Sequence, residues 1–80
     1  MDIELARDVV RAAFRASSEL QVLLGVLKER CRPEEYRDYA RGIATAMDAI
    51  GVGLINKTLA EHPELQSEID ESIAKHGRYM

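Results

Sequence analysis

The sequence predicts an all-α fold: a long antiparallel helical hairpin followed by a short C-terminal helix, with two hairpins dimerising into a four-helix bundle. Three observations carry this prediction. Apolar or small residues recur at alternating steps of three and four over residues 3–31 and again over 36–54, the period of a helix side that faces a partner. Pro33 and Pro63 fall between the periodic stretches, where a proline stops one helix and fits the opening turn of the next. The stretch Gly42–Ala60, GIATAMDAIGVGLINKTLA, holds only two charged residues, Asp48 and Lys57, in a chain that is 31% charged. A helix that is apolar on nearly every side requires cover all round.

The first helix is expected over about 2–31. Its seam is Ile3, Ala6, Val10, Ala13, Ser17, Leu20, Leu24, Leu27 and Cys31. Val9, Ala16 and Leu23 flank this seam on one side and Phe14 on the other. Asp2 is placed to cap the start, with Glu4 in the first turn, and Lys28 and Arg30 near the end suit the helix dipole. At 1.5 Å per residue such a helix is roughly 45 Å long, too long for a compact monomer of this size and suited to one leg of a hairpin. Arg78, Tyr79 and Met80, at the far end of the chain, are expected to fray.

The second helix is expected over about 33–61. Pro33 opens it after a short break, and a short loop makes neighbouring helices antiparallel. Its main seam reads Tyr36, Ala40, Ile43, Met47, Ile50, Leu54. A second line consists of small residues, Gly42, Ala46, Ala49 and Gly53, a spacing that lets another backbone come close; these four are the candidate dimer interface. Glycine costs a helix about 1 kcal/mol relative to alanine, so Gly51-Val52-Gly53 is also readable as a kink or break. The third helix is expected over about 63–76. It carries Leu65, Ile69 and Ile73 on one side and Glu64, Glu68 and Glu71 on the other, with Gly77 as its C-cap. One bent helix running on through Pro63 is the alternative.

Composition narrows the function. Eighty residues make one domain, 1–80, and so small a chain needs a disulfide, a metal or an oligomer to be stable. Cys31 is the only cysteine, so no internal disulfide forms, and Cys31, His62 and His76 lack the close partners of a metal site. Oligomerisation remains. The net charge of −3 comes wholly from the second half of the chain, and an acidic chain with an acidic short helix is poorly suited to nucleic acid. The opening MDIELARD lacks the form of a signal peptide. No run of apolar residues is long enough to span a membrane. A cytoplasmic protein without cofactors is expected.

Each candidate for chemistry has a plainer role beside it. Asp48 is a carboxylate inside the apolar stretch. Read functionally it lines a cleft, and read plainly it edges an interface beside an arginine; its helical neighbours Ala44, Thr45, Gly51 and Val52 complete no catalytic pair. His62 suits a cap and His76 a helix C-terminus. Cys31, between Arg30 and Arg32, suits the last seam position better than a redox role. Arg7, Arg11 and Arg15 form a line at spacing four. It is readable as a phosphate stripe, but it matches better as ion-pair partners for Glu64, Glu68 and Glu71. Ser17 and Ser18 lack a histidine base, and Phe14, Tyr36 and Tyr39 are too scattered to stack bases. The expected function is non-enzymatic: a homodimeric protein–protein interaction, adaptor or regulatory module. The alternative is a small-molecule-binding or enzymatic bundle with a site between helices near Asp48 and Met47.

Overall fold

The computed structural model describes residues 1–80 and is all-helical, with 86% of the chain in helices and no strand. The elements are α1 (Ile3–Arg30), α2 (Pro33–Ile50), a π-helical segment (Gly51–Asn56), α3 (Lys57–Glu61) and α4 (Leu65–His76). α1 starts as its sequence requires: the Asp2 carboxylate accepts a 2.8 Å hydrogen bond from the Leu5 N–H, satisfying one of the free donors of the first turn. It ends where Cys31 and Arg32 turn extended. Pro33, which needs no N–H partner, begins α2 at once. With so short a turn the chain doubles back, and α1 lies against α2, the π segment and α3 in succession.

Gly51-Val52-Gly53 does not break the second rod. The residues bounding the π segment keep right-handed helical angles, so α2, the π segment and α3 run on as one. What changes is the phase. A π turn holds one more residue than an α turn, so the side facing α1 is displaced by one position. Tyr36, Ala40, Ile43, Met47 and Ile50 lie inward as the heptad pattern predicts, each at least half-buried. The next predicted position, Leu54, is 45% exposed, and Ile55, Thr58, Leu59 and His62 take the inward side instead.

The rod ends at His62, whose φ of −131° and ψ of 71° leave helical space before Pro63. One turn follows, closed by hydrogen bonds from the Leu65 N–H to the His62 carbonyl and from the Gln66 N–H to the Pro63 carbonyl, 3.1 Å each. α4 therefore starts two residues later than the sequence suggests and does not continue the second rod. Its Leu65 and Ile69 pack on Ala6 and Val10 of α1 to form the main core, joined by Tyr79. Ile73, expected on the same inward side, is 44% exposed. It sits beside Phe14 at the mouth of a cleft.

The C-terminal residues do not fray. Gly77 takes a φ of 75°, a left-handed conformation that glycine adopts without steric cost. This reversal carries the tail back onto α1. Tyr79 is 8% exposed. The Met80 N–H donates to Ser72 Oγ at 2.9 Å, and the Ser72 hydroxyl donates to the Arg78 carbonyl at 3.0 Å.

The result is a thin slab, 44 × 25 × 14 Å between its outermost Cα positions. Its radius of gyration is 14.7 Å, against roughly 12 Å for a compact 80-residue domain. It exposes 5808 Å², against roughly 4,900 Å² for a compact monomer of its mass. Only eight residues are buried, and none of them lies between Phe14 and Gly42. The apolar stretch Gly42–Ala60 is thus not enclosed by its own chain; Ile43 and Thr58 are its only buried members.

Candidate functional site

The helical phase divides the hairpin into two broad faces. Around α1, at 100° per residue, Ile3, Arg7 and Phe14 lie on one side of the inward seam and Leu5, Val9, Ala12, Ala16 and Leu23 on the other. α4 and the tail cover the first side only. Around α2, Tyr39, Gly42, Ala46, Ala49 and Gly53 are offset from their inward seam in the same sense as the uncovered line on α1. In an antiparallel pair, equal offsets of the same sense point to the same broad face. One shallow cleft lined by Val9 of α1 together with Gly53 and Leu54 of the π segment bears this out.

The ten residues named on this second face are uncharged, with Arg30 and Glu35 at the same helical phase near the turn and Lys57 and Glu61 lining the cleft beside Gly53; no further helix of the chain lies across it. Leu5 is 50% exposed, Leu23 45% and Tyr39 58%. Ala12, Ala16, Ala46 and Ala49 are exposed as well. At Gly42 and Gly53 a Cβ would meet no atom within 4 Å. The four small residues named from the sequence, Gly42, Ala46, Ala49 and Gly53, therefore lie together at the surface. They are not used to bring α1 and α2 together.

The opposite face is closed by a polar clasp, of which the sequence anticipates the Arg7–Glu68 pair but not the part played by Tyr79. Arg7 Nε donates to both carboxylate oxygens of Glu68, at 2.9 and 3.0 Å, and the Tyr79 hydroxyl donates to Glu68 Oε1 at 3.0 Å. The Tyr79 ring meets Phe14 edge to face at 6.1 Å and lies 5.4 Å beneath the Arg11 guanidinium. Burial pushes the Glu68 carboxyl up, but hydrogen bonds from Arg7 and Tyr79 outweigh it and hold the group below the ordinary carboxylate value. Burial first, and then the Glu68 carboxylate, push the Tyr79 hydroxyl up. Of the ion pairs expected between α1 and the third helix, Arg7–Glu68 forms, while Arg11 and Arg15 face no carboxylate within ion-pair distance.

His62 is half-buried at the junction of the second rod and α4. Its Nε2 lies 3.1 Å from the Met1 carbonyl and its Nδ1 3.3 Å from Glu64 Oε1, so both ring nitrogens face oxygen acceptors and tie the N-terminus to the turn. Asp48 is exposed. It makes no ion pair within the chain, and it lines none of the surface clefts. Met47 is half-buried against α1. Cys31 caps α1 half-buried, its N–H bonded to the Leu27 carbonyl at 2.9 Å. His76 is exposed in the last turn of α4. No group of three His, Cys, Asp or Glu side chains is arranged to hold a metal ion, and no helix is long and apolar enough to cross a membrane. Comparison with family models, with curated proteins and with solved structures finds no match to this chain.

Proposed function

We propose that the chain works as a homodimeric, non-enzymatic protein–protein interaction module of the cytoplasm, in which two hairpins meet through the uncovered face to form a four-helix bundle. The observation that carries this reading is the mostly apolar, uncovered face formed by Leu5, Val9, Ala12, Ala16 and Leu23 with Tyr39, Gly42, Ala46, Ala49 and Gly53, with charged residues at its margins. A two-fold axis through it sets the same surface against itself, and the small residues of α2 let the two second rods approach closely. The broad side of the slab measures 44 × 25 Å, room for the ~800 Å² per partner that a standard interface buries. That area also matches the roughly 900 Å² by which the chain exceeds the surface of a compact monomer. Leu5 and Leu23, each about half exposed, would each contribute roughly half of the 1.5–3 kcal/mol of a fully exposed side chain, before the cost of association.

Light scattering across a dilution series with reductant present tests the reading. The expected mass is twice the 9.0 kDa of the chain; a single-chain mass at every concentration overturns it. Gly53→Leu and Ala46→Leu locate the contact. A side chain at Gly53 meets nothing within its own chain, and Ala46 is exposed, so both variants keep the fold and lose the dimer. Dimers of undiminished affinity in both would move the interface elsewhere.

A further inference from the structure

The clasped side of the molecule carries a second feature, independent of the face proposed for dimerisation. Arg11, Arg15, Arg78, Tyr79 and Met80 line a cleft of about 280 Å³. It runs into a neighbouring cleft of about 340 Å³ that shares Arg15, Arg78 and Tyr79 and adds Phe14 and Ile73. Three arginines thus meet in one groove of a chain whose net charge is −3. None of them is in an ion pair, although Arg7, one turn before Arg11, is held by Glu68. Glu19 is the only acidic side chain lining either cleft, and it lines the one that holds Phe14 and Ile73 along with Arg15 and Arg78.

Arg11 is positioned in advance. Its guanidinium lies over the Tyr79 ring, and Tyr79 is in turn fixed by Glu68 and Phe14. Its Nε is buried with no hydrogen-bond acceptor, which leaves the guanidinium poorly solvated; the terminal nitrogens, not the buried Nε, are the donors a ligand in the cleft can reach. Glu19 and, at longer range, Glu68 offset only part of this gathering of like charges, and an anion relieves the rest. A guanidinium offers a planar fork of donors that matches phosphate oxygens, and three such forks suit a dianion better than a single carboxylate. Phe14 and the 44% exposed Ile73 then offer an apolar shelf beside the charged end. We propose that this groove binds a small phosphomonoester, its phosphate held by Arg11, Arg15 and Arg78 and its organic group resting on Phe14 and Ile73.

Titration of the full chain with phenyl phosphate at low salt, followed by two-dimensional proton–nitrogen NMR that includes the arginine Nε–H signals, tests the assignment. Inorganic phosphate and benzyl alcohol serve as the separate halves of the ligand. Saturable shifts are expected at the Arg11 Nε–H and at residues 77–80, with phenyl phosphate binding at least about fivefold tighter than inorganic phosphate because of the apolar contact. Binding weakens as salt is added. The double variant Arg15→Gln, Arg78→Gln lies outside the core and keeps the fold, as circular dichroism will verify; it should bind phenyl phosphate at least about tenfold more weakly, the loss of charge-assisted hydrogen bonds. Absence of saturable shifts, undiminished binding in the double variant, equal affinity for inorganic phosphate, or benzyl alcohol binding as tightly as phenyl phosphate each overturns the proposal. Because the groove lies on the side away from the apolar face, a failed titration leaves the dimer reading standing, and a monomer leaves the groove standing.

Discussion

The two ends of the hairpin are built from the same kind of helix and reach opposite states. At the closed end, α4 and the tail lie across α1, and Ala6, Val10, Leu65, Ile69 and Tyr79 are buried together. At the turn end, α1 and α2 have only each other. Leu20, Leu24 and Leu27 are half-buried, Leu23 and Val26 are exposed, and no residue from Phe14 to Gly42 is buried. The difference is the third layer, not the hydrophobicity of the residues. Two helices side by side touch along one line, and a helix needs cover over a broader stripe than that to bury its apolar side. The closed end finds its cover within the chain, and the open end and broad face have none there.

The sharpest way to break this comparison is a matched pair of truncations. Leu65→Ala, at a fully buried position, should cost about 2–5 kcal/mol in urea unfolding and release α4 from α1. Leu23→Ala, at a side chain 45% exposed, should cost under about 1 kcal/mol in the monomer while weakening self-association. Equal losses in dilute protein would mean that the two ends are not different after all.

Tyr79→Phe is the next largest. It keeps the ring on Phe14 and removes the hydroxyl that donates to Glu68, so a loss of about 1 kcal/mol is expected by thermal unfolding. Stability is expected to fall at alkaline pH partly through this group, a component that the variant lacks. The Tyr79 hydroxyl is raised above its ordinary 10.0, so its contribution is complete below pH 10 and fades as the unfolded chain ionises above it. An unchanged alkaline limb in Tyr79→Phe would assign that limb to other groups.

Gly53→Ala acts in the other direction. The position is helical and open, with nothing within 4 Å of the added carbon, so the monomer should gain somewhat less than about 1 kcal/mol. A loss instead would mean that the π segment depends on this glycine. The smallest effect is on the acid side. Glu68 is held below its ordinary 4.5; its contribution is complete above that pH and is lost as pH falls through the lowered value. Glu68→Gln should flatten the limb over which stability falls as pH drops below the ordinary carboxylate value, without moving the neutral baseline upward.

Much of this fold was legible in the residues. The Asp2 cap, the end of α1 at Cys31, Pro33 at the head of α2 and Gly77 behind α4 all follow from what each residue allows its own backbone to do. The inward seams follow from helical period as far as Ile50. Leu54 was misplaced because a heptad pattern cannot show where one residue is inserted, and the π segment shifts every later position by one. Tyr79 was missed for a different reason. A tyrosine two residues past a C-cap looks like a loose end until the left-handed Gly77 returns it to Phe14, Arg11 and Glu68, partners 65, 68 and 11 residues earlier in the chain. Asp48 interrupts an apolar run in the sequence, yet its own position on that run is at the surface, where a carboxylate needs no partner.

The sequence by itself determined the local structure: three helical rods, their caps and breaks, and the fact that more apolar side was present than one chain of this length could hide. Periodicity and capping are properties of residues within a few positions of each other, so they can be read in one dimension. Which apolar side is hidden was decided only in three dimensions. α4 carries Leu65 and Ile69 to one side of α1 because His62, Pro63 and the Arg7–Glu68–Tyr79 clasp direct it there, and a helix that packs on one side of a two-helix slab leaves the other side uncovered.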